Sequence, residues 1–347
     1  MPAVVIGGEG YLGSRVVGAL RAGGLECLTA GRSGRADLRL DLSHPETLAP
    51  LADAAAVVNL ADAWGAPPDA AITASGGLFV ETTAHPRACE RLLSLAPDSA
   101  VLVGAGIFPG LSDLLAAEAA RALAAPLARL RLGVRFSPLA GAGAGTCGLM
   151  AELLGEDSVT WDSGRRVDRP GLGPGPRLPF ARGERATLLL PLCEPPLLAR
   201  ALGGEGRTIT SSAALAPAPL TALARLGAFA PRGLRRAAWV RALTRLGLRL
   251  LRGVLLGWRA TPVELVAVAE SEGGETLRAR LEATDGMLAA GQAIAAMTLE
   301  LLAASPAPGI HVPAGALRLD PLLARMSGLG SRVIYEPPAP WSCGSAG

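Results

Sequence analysis

The ten residues from Val4 to Gly13, Val-Val-Ile-Gly-Gly-Glu-Gly-Tyr-Leu-Gly, restrict the fold of this chain more than any other stretch. Ala3 to Ile6 reads as a short buried strand, and Tyr11 to Ala22 has helical periodicity that stops at Gly23-Gly24. Between them Gly8, Gly10 and Gly13 form the pattern Gly-x-Gly-x-x-Gly. In a strand–turn–helix unit the first glycine makes the tight turn and the second lets a pyrophosphate approach the backbone. The third lets the helix pack on the sheet, with the helix N-terminus facing the phosphates. The motif alone is weak, and the strand before it and the helix after it supply the context that a dinucleotide site requires. Gly8, Gly10, Tyr11, Leu12 and Gly13 are therefore the first expected cofactor-binding residues.

The rest of the first third repeats the same alternation. Leu25 to Ala30, Ala55 to Leu60, Leu78 to Glu81 and Ala100 to Val103 read as strands, and Ser43-His-Pro-Glu46 as a capping box that opens a helix. Such alternation predicts a doubly wound, parallel α/β sheet. From about Pro126 the pattern changes. Arg129 to Phe136 alternates charged and apolar residues, and Ala186 to Leu192 is a strand candidate. Val263 to Ala269 and Thr276 to Thr284 flank a Ser-Glu-Gly-Gly loop as an antiparallel hairpin. Gly164 to Gly183 reads as an exposed loop, Asp285 to Ala304 as a long helix, and Arg332 to Tyr335 as a last strand. At roughly 150 residues per domain, 347 residues suggest two domains. The expected division is a Rossmann domain over 1–120 and an α+β domain with an antiparallel sheet, for substrate or oligomerisation, over 121–305. A C-terminal segment over 306–347 is expected to return to the first domain.

Composition excludes several chemistries. All 33 basic residues are Arg, so a Schiff-base lysine, a P-loop lysine and the Tyr-x-x-x-Lys pair of short-chain dehydrogenases are ruled out. Five widely spaced cysteines, with no Cys-x-x-Cys, fit a reduced cytoplasmic protein better than a disulfide framework. His44, His85 and His311 do not stand at metal-ligand spacing, so no metal site is expected. The apolar N-terminus lacks a basic leader and is explained by the strand and its turn, and no long uncharged apolar run predicts a transmembrane helix.

At the end of the second strand, where a site for NAD would place an acid on the ribose 2′-hydroxyl, the chain has Arg32 and Ser33, with Arg35 close by. An arginine and a hydroxyl suit a 2′-phosphate, so NADP(H) is favoured over NAD(H).

Three further segments carry a family resemblance. Ala56-Val-Val-Asn-Leu-Ala61, Gly77-Leu-Phe-Val-Glu-Thr-Thr-Ala-His-Pro86 and Gly104-Ala-Gly-Ile-Phe-Pro-Gly-Leu-Ser-Asp-Leu-Leu115 resemble motifs of the saccharopine dehydrogenase-like family, the last being the most specific. Pro308 to Gly315, before Leu319-Asp-Pro-Leu-Leu323, looks like that family's C-terminal segment. The resemblance covers about the first third of the chain and is thin from Pro126 to Val263. It implies a Rossmann domain, NAD(P) binding and a mixed second domain that shapes a site for a small-molecule substrate. The family's best-known members make or break a secondary amine between an amino acid and an oxo acid. This sequence departs from the family pattern with Glu81 for Asp, Ala84 for Gly and His85 for Glu.

Loops at the carboxyl ends of parallel strands should converge on the nicotinamide. They bring Asn59, Ala61, Thr82, Thr83 and Gly106 towards the cofactor, and His85 and Glu81 towards the chemistry. His85 is the expected proton donor because its ordinary pKa suits that task. One segment stands apart: from Gly206 to Ala260 there are ten Arg and no acid. Arg232 to Arg252 is expected to form one exposed amphipathic helix, with Leu243, Leu246, Leu250 and Val254 as its apolar side. Such a face suits a membrane surface, an acidic carrier protein or an anionic substrate, whereas nucleic acid is a poorer fit without interleaved aromatics. Two readings stay open. One is an NADP(H)-dependent oxidoreductase acting on a C=N or C=O bond. The other is a non-catalytic NADP(H)-binding protein that docks through its Arg-rich helix. Both are compatible with a homodimer.

Overall fold

A computed structural model describes residues 1–61, 68–138, 144–251 and 262–341. Arg252, Val254, Arg259 and Cys343 lie outside the described residues. The first sheet contains β1 (Ala3–Ile6), β2 (Cys27–Gly31), β3 (Leu38–Arg39), β4 (Ala56–Asn59), β5 (Leu78–Glu81) and β6 (Ala100–Val103). A seventh strand, β15 (Gly309–His311), joins from the far end of the chain, giving the order β15-β6-β5-β4-β1-β2-β3. Every pairing in it is parallel. The strands β1, β4 and β5 are buried throughout, which is why they read as short apolar runs with no alternation.

The second sheet runs β10-β11-β12-β7-β13-β14-β16, where β7 is Leu127–Phe136, β10 Pro174–Phe180, β11 Gly183–Leu188 and β12 Thr208–Leu215. Its far side is β13 (Val263–Ser271), β14 (Thr276–Ala283) and β16 (Val333–Pro340). The sheet is mixed: β7 and β12 are parallel from Thr208↔Arg129 to Leu215↔Phe136, and its other pairings are antiparallel. Helix Ser112–Arg121 packs against β7, β13 and β14. Its run of small alanines lets Leu114, Leu115, Ala116 and Ala117 all sit at 0% exposure. One continuous apolar core therefore runs from Val5 and Val58 of the first sheet through this helix to Leu132, Val134 and Leu265 of the second. Helix Gly286–Ala304 is long and apolar enough to cross a membrane, but it packs on helix Gly13–Ala22. A Cβ on Gly291 would lie 2.7 Å from the Cβ of Arg15, so the absence of a side chain sets that approach.

Three local expectations need correction. Gly164 to Gly183 is no loop. It holds β9 (Arg165–Arg169), paired antiparallel with β8 (Ser158–Asp162), and then β10. Strand β9 has no buried residue, so it carries no apolar alternation to betray it. The segment after Ser43 forms two 3₁₀ turns, Pro45–Thr47 and Ala49–Asp53, and Ser43 donates its hydroxyl to Asp41 rather than capping a helix. The Arg-rich segment is two helices, Arg232–Arg236 and Ala238–Leu251, broken where Ala237 adopts ψ 133°. Leu243, Leu246 and Leu250 point outward, while Arg236 and Arg245 pair with acids of the domain.

Candidate functional site

The turn after β1 has the geometry its glycines suggest. Gly7 holds φ +80°, a conformation that side chains disfavour, and its N–H donates to Ala30 O at 2.7 Å. A Cβ on Gly13 would lie 2.2 Å from Gly7 O and 2.7 Å from Gly8 Cα, so nothing larger fits. A Cβ on Gly8 would sit 2.9 Å from Val5 O. Beside Gly10 only Gly7 O comes near, at 3.1 Å, which leaves that backbone open to a ligand. Leu12 stands at the helix N-cap position without a side-chain cap, and the first turn carries no acid. This helix N-terminus without a side-chain cap and the glycine cradle before it fit a dinucleotide pyrophosphate. Tyr11 is engaged by its own helix: the Arg15 guanidinium stacks 3.8 Å from the ring centroid and donates to Tyr11 O at 2.7 Å.

At the end of β2, Arg32 and Arg35 are exposed and form no ion pair among the described residues. Ser33 donates its hydroxyl to the carboxylate of Glu9, which comes from the glycine turn itself. Thr29 is held by Asp37, whose Oδ2 accepts from the Thr29 N–H and hydroxyl, both at 2.8 Å. Those two bonds keep the Asp37 carboxyl below its ordinary range.

Along the carboxyl edge, Asn59 and Glu81 end neighbouring strands and are both buried. Asn59 Nδ2 donates to Glu81 Oε2 at 2.8 Å, and Asn59 Oδ1 accepts from the Ala61 N–H at 3.1 Å. Glu81 Oε1 accepts from the Thr83 N–H at 2.8 Å, and Glu81 O accepts from the N–H groups of Gly104 and Ala105. Thr82 donates its hydroxyl to Asn59 O at 2.7 Å. The Glu81 carboxylate thus ties together the loops after β4 and β5, and its backbone carbonyl ties in the loop after β6. Such a group fixes the edge by accepting charge-assisted bonds rather than by facing a reactant.

His85 occupies the N-cap position of helix Pro86–Leu93 without a side-chain capping bond. It lines a cavity of about 150 Å³ with Arg87, Glu156, Asp157, Arg166 and Asp168 among its other walls. Helix Arg232–Arg236 closes the cavity through Arg236. Arg87 pairs with Glu156 at 2.9 Å, and Arg166 with Glu90 at 2.6 Å and Asp168 at 2.8 Å. Arg236 reaches Glu156 at 3.4 Å and Asp157 at 3.6 Å. The cavity therefore joins the loop after β5 to the second domain and presents both signs of charge. Burial pushes the His85 imidazole below its ordinary pKa; Glu156 opposes that shift and Arg87 adds to it. The shift favours the neutral form of the ring.

Behind the loop after β6 lies a pair of acids that the sequence did not single out. Gly104 has φ +90° and Gly110 φ +124°, and Gly106 is extended. Asp113 Oδ2 accepts from the Gly110 N–H at 2.7 Å, while Ser112 donates to Glu194 Oε1 at 3.1 Å. Asp113 and Glu194 are buried, and Asp113 Oδ1 and Glu194 Oε2 have no hydrogen-bond partner among the described residues. Burial, with Glu194 beside it, holds the Asp113 carboxyl well above the carboxylate range. Burial pushes Glu194 up to about 6 against the bond from Ser112. Glu194 opens a helix from the unmatched middle of the chain, so no motif pointed to it.

No protein-family model and no curated protein sequence matches the chain. Among solved structures it is similar to apo saccharopine dehydrogenase (L-Glu forming) from Saccharomyces cerevisiae, at 14% identity and a TM-score of 0.61. That similarity covers 96% of this chain and 99% of the yeast chain. A substituted meso-DAP dehydrogenase with bound DAP, from Clostridium tetani E88, aligns at 11% identity and a TM-score of 0.48. It covers 92% of this chain and 95% of the other. The chain thus has the two-sheet fold of saccharopine dehydrogenase from end to end, including the thin middle of the sequence resemblance.

Proposed function

We propose that the chain is an NADP(H)-dependent oxidoreductase that acts on a C=N or C=O bond of a small substrate carrying charge. The observation that carries this reading is the continuity of the carboxyl edge. The glycine turn, the Glu81 network and the His85 cavity succeed one another across β1, β4 and β5 of one parallel sheet. Ligands of open α/β sheets lie along that edge. When bound, the nicotinamide supplies or takes the hydride.

The chain's own residues do the rest. The backbone from Gly7 to Gly13 binds the pyrophosphate, and Asn59, Ala61, Thr82, Thr83 and Gly106 border the nicotinamide end. Glu81 acts by positioning, because both its oxygens are engaged by neighbouring loops. His85, neutral at pH 7, takes a proton at a ring nitrogen when a substrate amine or alcohol is oxidised, and returns it in reduction. Arginines and acids alternate around the cavity, so a substrate with a carboxylate and an amine can exchange with Arg87 and Glu156. The preference for NADP(H) rests on Arg32 and Arg35, exposed at the end of β2 with no ion pair among the described residues. Glu9, beside Ser33, is the opposing charge. Cys27, Cys89, Cys147 and Cys193 are buried and form no disulfide among the described residues, which suits a reducing cytoplasmic setting.

The test is turnover. Purified protein with NADPH and a panel of amine and oxo-acid pairs should consume NADPH with at least one pair. Tight NADPH binding with no consumption across the panel would assign the chain to a sensing or structural role.

A further inference from the structure

The two Arg-rich helices and the helix before them, Pro219–Leu226, carry an apolar surface that nothing among the described residues covers. Of the eleven exposed large hydrophobic side chains among the described residues, eight fall between Leu223 and Leu250. Phe229 is 85% exposed and Trp239 60%. Trp239, Leu243, Leu246 and Leu250 follow 4-3-4 spacing, so they form one stripe along helix Ala238–Leu251. A soluble helix places such a stripe inward. Here its inner side is held by polar contacts instead: Arg245 pairs with Glu152 at 3.6 Å, Arg236 with Glu156 and Asp157, and the buried Arg235 donates to Gly171 O at 3.1 Å. Arg241 and Arg249 form no ion pair among the described residues. A contiguous exposed apolar patch of this kind marks an interaction site.

Charge decides the occupant. No Asp or Glu occurs from Gly206 to Ala260, whereas ten Arg do. A second copy in a two-fold contact would set this all-cationic face against itself. An anionic lipid surface offers the opposite charge at its headgroups and an apolar layer just beneath. Beside helix Pro219–Leu226, a cavity of about 340 Å³ adds further positive charge, with Arg135, Arg177, Arg185 and Arg225 around one acid, Glu184. We infer that the helices from Pro219 to Leu251 form a peripheral membrane-docking face. The Trp239–Leu250 stripe enters the interface of an anionic bilayer and the arginines lie at headgroup depth. This inference does not depend on the proposed activity.

Sedimentation with vesicles tests it, using the full chain. Phosphatidylcholine vesicles with roughly one lipid in three replaced by phosphatidylglycerol should pellet the protein, and pure phosphatidylcholine should not. Binding should weaken as salt rises, because screening shortens to about 8 Å at physiological ionic strength. The double variant L243E/L246E should lose at least about tenfold in affinity with an unchanged melting temperature, since both side chains are solvent-exposed. A second variant, R241E/R249E, should also weaken anionic binding, and it stands alone if the first does not fold. Absence of pelleting at low salt, equal pelleting with the two vesicle types, or native binding by both variants would overturn the inference. A dimer that L243E/L246E dissociates, with no vesicle binding, would give the face to a second copy and overturn it equally.

Discussion

The carboxyl edge of the first sheet and the helical face from Pro219 to Leu251 are built on opposite plans. At the edge, one buried glutamate ties three loops through its carboxylate and backbone carbonyl, and a missing Cβ at Gly13 leaves no room for alternatives. On the helical face, arginines hold the helices down by contacts to backbone oxygens and a few acids, and the leucines face outward. Steric necessity makes the first region rigid and specific. The second is attached by exposed or half-exposed ion pairs, which contribute about 0–1 kcal/mol each. Substitutions should therefore act sharply at the edge and weakly on the helices, except where an outside surface is present.

The sharpest break of this contrast is Gly13→Val. Its Cβ would meet Gly7 O at 2.2 Å, so the turn must deform. Dinucleotide affinity should fall by more than about 100-fold, roughly 3 kcal/mol, as read by calorimetric titration. Retained affinity would mean that the turn is not the phosphate site.

Arg32→Ala should weaken NADPH by roughly 1–3 kcal/mol and leave NADH nearly unchanged, the range for a charge-assisted hydrogen bond. Equal affinities for the two cofactors in the native protein would remove the basis for NADP(H).

Glu194 provides a pH test between the two domains. Its carboxyl, ordinarily at 4.5, is pushed up to about 6 by burial. The folded state then holds the proton more tightly than the unfolded chain. Stability should fall as pH rises from 4.5 through about 6 and stay lower above that. Glu194→Gln should flatten this dependence and raise stability at neutral pH by about 2 kcal/mol, as measured by urea midpoints across that window. An unchanged pH slope in the variant would clear Glu194 of the effect.

The smallest expected change is at Glu9. Removing its charge with Glu9→Gln frees Ser33 and eliminates a repulsion towards a 2′-phosphate, so NADPH affinity should rise by about 0.5 kcal/mol and NADH affinity should not. A fall for both cofactors would place the Glu9 carboxylate on the ribose hydroxyl instead.

The two regions also explain what could be read from the chain and what could not. Strands β1, β4, β5 and β6 are buried apolar runs next to glycines with one permitted role, so sequence pattern and structure coincide there. Strand β9 has no buried residue, and β12 pairs in parallel with a strand some 80 positions away (Ser212↔Gly133), and neither fact leaves a local trace. The helical periodicity of Ala238 to Leu251 was legible, but amphipathy does not say which side faces the domain. That depends on Glu152, Glu156 and Asp157, acids far away in sequence. The site divides in the same way. The glycines, Asn59, Glu81 and His85 announce themselves by position after a strand. The walls opposite His85 come from Glu156, Arg166, Asp168 and Arg236, which only the second sheet and the Arg-rich helices bring near.

One comparison tests most directly whether the glycine turn and the His85 cavity form a single site. Once a substrate pair is found, kcat for His85→Ala and its NADPH dissociation constant should be measured side by side with the native protein. A group that moves a proton contributes typically about 10²–10⁴-fold, so kcat should fall by that factor while NADPH affinity barely moves. In the oxidative direction the native rate should drop as pH falls through the lowered His85 pKa, and the variant should lack that inflection. Near-native turnover in His85→Ala, with the inflection intact, would contradict the assignment and give the proton to water or another group.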